Sequence, residues 1–216
     1  MKPFFIYLLL SMSIFSFGQD LPDLTTYSKD IGFNTSILLS GILSSYASPF
    51  DIMLKQQKTS NTAIRYGCKL FVDVNTNTYQ SSNSYYQNEN YFISISVGKE
   101  RQAQLTKKWI FYYGGDLAPF YESYKQSNYE TGQLRYENLN SEIGLRVSPF
   151  LGLRFQINSR LYVATEALLR LSYGRKEASW KSYDNFNNVG NQTSQGFNNV
   201  KLQALPATGI FVFYRF

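Results

Sequence analysis

Residues 142–157 carry the pattern that most restricts what this chain can become. Ile143, Leu145, Val147, Pro149, Leu151, Leu153, Phe155 and Ile157 take every second position, and Glu142, Gly144, Arg146, Ser148, Phe150, Gly152, Arg154 and Gln156 take the others. A period of two belongs to an extended strand whose two faces meet different surroundings. An apolar row of this length needs either a second sheet to cover it or a bilayer to receive it. Pro149 lies within the row, where its missing ladder hydrogen bond predicts a bend or bulge.

The alternation recurs along the chain and predicts an all-β fold with eight strands, at about 31–43, 48–56, 62–73, 90–100, 107–123, 136–157, 160–175 and 199–216. Ile64, Tyr66, Cys68, Leu70 and Val72 share one face of the third, and Tyr91, Ile93, Ile95 and Val97 one face of the fourth. Trp109, Phe111, Tyr113, Leu117 and Tyr121 follow in the fifth, and Leu161, Val163, Thr165, Ala167, Leu169, Leu171 and Tyr173 in the seventh. In the last, Thr208, Ile210, Val212, Tyr214 and Phe216 oppose Gly209, Phe211, Phe213 and Arg215. The first strand is the weakest pattern, because Ile37, Leu38, Leu39, Ile42 and Leu43 also fit one side of a short helix. An even strand number, which brings both ends of the chain to one side, favours the strand.

Connector lengths divide into two sets. Those after the second, fourth and sixth strands are short (57–61, 101–106 and 158–159), whereas 74–89, 124–135 and 176–198 are long and polar. Short turns at one end and long loops at the other are the pattern of an up-and-down barrel crossing a membrane. No apolar run after Phe17 is long enough for a helical span, and the remaining geometry for a membrane resident is a closed barrel.

The polar faces hold the charges. Arg65, Lys69, Asp73, Glu100, Lys108, Asp116, Glu122, Glu142, Arg146, Arg154, Glu166, Arg170 and Arg215 are expected to point inward as a network of nearly balanced sign. A turn near 158–159 sets Glu166 opposite Gly152 and diagonal to Arg154, which predicts an Arg154–Glu166 salt bridge. The chain carries a formal charge of +6. Its Lys and Arg residues are spread along strands and turns rather than clustered, so a nucleic-acid partner is not expected.

The chain has no histidine and a single cysteine, Cys68. Their scarcity removes an internal disulfide and most serine-hydrolase, zinc and general acid–base constellations. A Gly-x-Ser-x-Gly motif is also missing. No catalytic, cofactor or metal site is expected, and the interior carboxylates read as structural. At the other end of the chain, Lys2, the apolar run 4–17 and the small residues Ser16 and Gly18 predict an export signal over 1–18, cleaved before Gln19. A retained signal anchor is the rival. Residues 19–29 then form a short tail and 30–216 the barrel domain.

Export signal, alternation, loop asymmetry and the terminal aromatic Phe216 together resemble the small outer-membrane β-barrel proteins of Gram-negative bacteria. The resemblance covers about residues 30–216. It implies an eight-stranded antiparallel transmembrane barrel in the cell outer membrane, with N- and C-termini in the periplasm. It further implies lipid and lipopolysaccharide as surroundings, and a terminal strand (Thr208, Ile210, Val212, Tyr214, Phe216) read by the barrel-assembly machinery. The deacylases, palmitoyl transferases and surface proteases of that architecture resemble one another in using a histidine, which this chain lacks. Trp109, Phe155, Tyr214 and Phe216 at the periplasmic end, with Tyr91, Tyr121 and Tyr173 at the outer end, fit two interfacial aromatic belts.

An eight-stranded barrel is filled by its own side chains, so no open pore is expected. Specificity would then reside in the loops 74–89, 124–135 and 176–198, where Tyr79, Tyr85, Tyr86, Trp180, Tyr183 and Phe186 are candidate contacts to a surface sugar or protein. Lys125, Arg135, Arg175 and Lys176 near the outer rim suit lipopolysaccharide phosphates. The expectation is a non-enzymatic outer-membrane protein with a closed, salt-bridged interior. A soluble exported barrel with an apolar ligand and a lipid-modifying enzyme are the rivals.

Overall fold

A computed structural model of the chain describes residues 29–35, 50–78, 84–184, 188–207 and 209–216. Nine strands form one antiparallel sheet: β1 (Lys29–Asn34), β2 (Phe50–Thr59), β3 (Thr62–Thr78), β4 (Ser84–Gln104), β5 (Trp109–Glu130), β6 (Gln133–Gln156), β7 (Leu161–Tyr183), β8 (Val189–Leu205) and β9 (Ile210–Arg215). The sheet closes in a ring, because β1 pairs with β2 on one side and β9 on the other, and β9 pairs in turn with β7. Below, the end carrying the turns at 60–61, 105–108 and 157–160 is called the lower end.

Opposed residues trace the ring. From Leu161 the pairs run through Tyr214, Ile31, Leu54, Tyr66, Val97, Leu117 and Val147 to Leu171, ten residues further along β7. With the usual strand rise and spacing, that stagger around the eight strands of the ring corresponds to a tilt of roughly 40°.

β8 stands outside this circuit. It pairs with residues 168–183 of β7, while β9 pairs with residues 161–165 of the same strand. The single strand expected over 199–216 is therefore two strands laid end to end along β7. Pro206, which has no N–H to give the ladder, follows β8 directly. Gly209, with φ of 137°, precedes β9 in a conformation that only glycine adopts without strain. Leu205 opposes Leu168 and Ile210 opposes Thr165, so five steps on one side match three on the other. Two residues are taken up rather than one, and alternation survives the break: Val200, Leu202 and Ala204 face outward, as do Ile210 and Tyr214.

Strand length departs most from expectation. The connectors expected to be long at 74–89, 124–135 and 176–198 are largely strand. β5 passes into β6 through a two-residue turn at Thr131 and Gly132, with φ of 50° and 80°. Two successive positive φ values give the turn whose twist matches the strands it joins. At the lower end, Asn158 Oδ1 accepts the backbone N–H groups of Arg160 and Leu161 at 2.9 and 2.8 Å and shapes the turn into β7. β1 covers only the start of the strand expected at 31–43. The rest of that segment, the expected export signal at 1–18, and residues Tyr79, Phe186 and Thr208 lie outside the described residues.

Above the closed ring, β3 to β8 continue as a six-stranded wall. The buried apolar cluster sits low in the ring and comprises Met53, Tyr112, Phe150, Tyr162, Ala164, Phe211 and Phe213. Gly152 makes part of it possible, since a Cβ there would fall inside the Tyr112 ring that packs across β5 and β6.

Candidate functional site

Alternation sends charged side chains to the inside of the ring. Arg65, Glu100, Glu142, Arg154 and Glu166 are buried, and Lys69, Asp116, Glu122, Arg146 and Arg170 half-buried. Asp73 is half-buried high on β3 and accepts a hydrogen bond from Asn75 Nδ2 at 2.7 Å. Lys108 lies in the turn before β5, its Nζ 5.9 Å from the Phe155 ring centre.

The lower network is centred on Arg65. Its guanidinium holds Glu166 by two parallel hydrogen bonds of 2.8 and 2.9 Å, and meets Asp116 at 3.1 Å and Glu100 at 3.6 Å. Phe150 backs it, with the ring centre 3.9 Å away. Lys55 Nζ gives Glu100 a 2.7 Å bond from between the rings of Tyr112 and Phe213. Tyr112 Oη donates to Glu166 at 3.1 Å, and Gln102 Nε2 to Glu100 at 2.8 Å. Lower still, Asp30 accepts from Arg215 Nε at 2.8 Å and from Tyr162 Oη at 2.7 Å. Glu100, Glu166 and Asp30 are paired by charge-assisted hydrogen bonds, whereas Asp116 has the Arg65 charge beside it but no hydrogen bond to its Oδ1; this pairing is what permits burial.

The expected Arg154–Glu166 bridge is replaced. Glu166 does lie opposite Gly152, but its carboxylate goes to Arg65 on β3, across the interior. Arg154 lies instead over the Tyr162 ring at 4.6 Å, with its Nε and one terminal nitrogen buried and without hydrogen-bond partners. The aromatic face supplies the attraction that a carboxylate was expected to give. Asp30, Asp51, Lys55 and Lys201 belong to the interior and were missed. A signal existed for two of them: Asp51, Met53 and Lys55 alternate with Ile52 and Leu54.

Higher in the ring the pairing thins. Lys69 meets Asp51 at 2.7 Å, and Lys201 meets Glu142 at 3.0 Å. Arg146 lies over Phe120 at 4.5 Å and gives its Nε–H to Ser172 Oγ at 3.2 Å. Among the described residues Arg170 reaches only Gln203 Oε1, at 3.4 Å, and its Nε is buried without a hydrogen-bond partner. Lys69, Arg146, Arg170, Ser172, Lys201 and Gln203 are among the residues lining a cavity of about 270 Å³. Beside the lower network, the void among Arg65, Asp116, Glu166 and their neighbours is only about 50 Å³. Among the described residues, no three His, Cys, Asp or Glu side chains gather as a metal site would require.

The outer face is the converse. Ile95, Ile143, Leu151, Val200 and Leu202 are each more than half exposed. Cys68 is exposed on the same face, as a small apolar residue among them. Trp109 packs against Phe155 at 4.8 Å near the lower end, and Tyr91, Tyr121 and Tyr173 are exposed higher up. Trp109 and Tyr121 are twelve residues apart on β5. At the tilt given above they are separated by about 30 Å along the ring axis.

The candidate loop contacts that fall among the described residues, Tyr85, Tyr86, Trp180 and Tyr183, are strand residues. Trp180 lies in β7 opposite Asn138 and Thr193, and Tyr183 ends that strand opposite Val189. Tyr85 stacks on Tyr129 of β5 at 4.6 Å. The rim cations have neighbours too: Lys125 meets Glu137 at 3.1 Å, Arg135 meets Glu130 at 3.0 Å, and Arg175 meets Glu177 at 3.4 Å. The Glu137 carboxylate raises the Lys125 ammonium above the ordinary lysine range. Comparison of the chain with family models, with curated proteins and with solved structures gave no match.

Proposed function

We propose that this protein is a non-enzymatic integral outer-membrane β-barrel, with eight strands crossing the bilayer. Its lower turns would face the periplasm and its upper hairpins the exterior. One observation carries the reading: the ring is apolar outside and holds a charge network inside beside a small aromatic cluster, whereas a protein folded for water turns its charges outward. In water, the exposed row of Ile95, Ile143 and Leu151 would be a large uncovered patch. In lipid it is the surface required, and charges belong within. The separation of the two aromatic groups, about 30 Å, matches the hydrocarbon thickness of a bilayer.

A soluble barrel that carries an apolar ligand needs an apolar lining, and Arg65, Glu100, Asp116 and Glu166 argue against one. The same carboxylates sit beside a void of about 50 Å³, too small to admit a substrate. Partners are therefore lipid on the outer wall, the barrel-assembly machinery during insertion, and whatever meets the upper hairpins.

Val147 tests the reading, because it faces outward near the middle of the band. Val147→Arg is expected to weaken folding into lipid vesicles by roughly 2–4 kcal/mol, measured by urea titration. On a water-exposed surface the same change would be close to neutral. A neutral result, or recovery of the wild-type chain from the soluble periplasm after cell fractionation, would sink the proposal.

A further inference from the structure

The upper interior differs from the lower in one respect that points to a ligand: its cations outnumber their partners. Lys69, Arg146, Arg170 and Lys201 line one cavity of about 270 Å³, together with Phe92, Glu122, Ser172 and Gln203. Asp51 is committed to Lys69 and Glu142 to Lys201. Even if Glu122 is assigned wholly to one arginine, one positive charge is left over. Arg170 shows the deficit most directly, since among the described residues its one hydrogen bond is a long one to an amide oxygen and its buried Nε has none. A half-buried guanidinium whose Nε is buried without a partner favours an anion beside it.

We propose that this cavity binds a phosphate group. Two guanidinium forks offer the planar, paired donors that suit phosphate oxygens, and two ammonium groups add charge at the rim. The cavity is at the lower limit of ligand pockets and takes a small anion or headgroup, not an extended molecule. It is reachable, because the Lys69 and Lys201 side chains are 31% and 55% exposed. The phosphate could be free or the headgroup of a lipid. This reading concerns the inside of the ring and does not need the outer wall to meet a membrane.

Isothermal titration of the full chain in neutral detergent decides it. The probes are inorganic phosphate and dihexanoyl phosphatidic acid below its micelle concentration, at constant ionic strength with chloride as the reference anion. Saturable one-to-one binding of phosphate over chloride is expected. Arg146→Gln and Arg170→Gln should each weaken it roughly tenfold or more, the scale of one charge-assisted contact. Arg101→Gln, on an exposed residue of lower β4, should leave it unchanged. Binding of both probes alike assigns the site to the phosphate group itself, and binding of the lipid alone assigns it to headgroups. No saturable heat with either probe, or an Arg170→Gln chain that binds as wild type does, overturns the proposal. Should a variant fail to fold, the ³¹P resonance of inorganic phosphate with the wild-type chain still decides, since an unchanged line refutes binding.

Discussion

The two ends of the same ring are held in different ways. At the lower end the interior is closely packed: Arg65 serves Glu166, Asp116 and Glu100, Lys55 lies between aromatic rings, and Tyr112 packs over Gly152. At the upper end six strands continue upward, and β8 is exposed along nearly all its length. There, backbone ladders and short side-chain pairs do what a packed interior does below. The difference teaches that a closed ring of strands need not be held together in the same way along its axis. A plugged base can anchor an upper wall that is left free to vary, and elements with few buried contacts open at low free energy.

The comparison breaks most visibly at Arg65. Arg65→Ala removes the shared partner of three buried or half-buried carboxylates, and stability in urea titration should fall by about 3–5 kcal/mol. Adding Glu166→Gln should restore part of the loss, because one stranded charge goes with it. If Arg65→Ala costs no more than a rim substitution, the lower network is not what holds the base.

Gly152 tests the packing that accompanies those charges. A Cβ at this position overlaps the Tyr112 ring, and Tyr112 is fixed by its hydrogen bond to Glu166. Gly152→Ala should cost about 1–3 kcal/mol, the usual scale of overpacking. Pairing it with Tyr112→Leu should recover much of that, whereas additive losses would show that the two residues do not share the space.

How far the sequence reveals this structure follows from the range over which each signal acts. Facing is local: at 142–157 the apolar row from Ile143 to Ile157 reads outward and every charge inward, with Phe150 the one large apolar side chain on the inner face, since the alternation is set by the backbone itself. The strand ends above the ring are invisible for the opposite reason. Asn, Gln, Ser and Tyr at 74–78, 84–89, 176–183 and 189–198 lie where neither face is buried, so no period marks them although their backbones pair across the strands. The partner of Glu166 is hidden differently. Register identifies Gly152 and Arg154 on the neighbouring strand, but the contact made is with β3, across the interior, and no pairing rule reaches there. The phosphate cavity follows the same logic: Lys69, Arg146 and Arg170 can be placed inside from the alternation, but only side-chain geometry shows that the arginines lack carboxylates.

A smaller effect is expected at the top of the β5–β6 hairpin. Gly132 has φ of 80° and no neighbouring atom to meet a Cβ. Gly132→Ala therefore tests backbone strain alone, at about 1 kcal/mol. Hydrogen exchange should localise the loss to the upper parts of β5 and β6 and leave the lower ring protected. Loss of protection at Tyr112 or Phe150 would mean that the two ends unfold as one unit.

The smallest effect belongs to Lys125 and Glu137, the upper counterpart of Arg65 and its carboxylates. The pair is 3.1 Å apart, and the Lys125 side chain is 35% exposed, so water and salt screen it. Lys125→Gln should cost no more than roughly 0.2–1 kcal/mol. The sign of its pH dependence follows from the raised lysine pKa. Stabilisation is fully present below the unfolded lysine value of about 10.4 and fades as pH climbs through the higher folded value. Wild type and Lys125→Gln should therefore differ slightly at neutral pH and converge in strong alkali, with the difference shrinking also in high salt. A neutral-pH difference as large as that of Arg65→Ala would contradict the division between a buried, charge-filled base and a solvated upper wall.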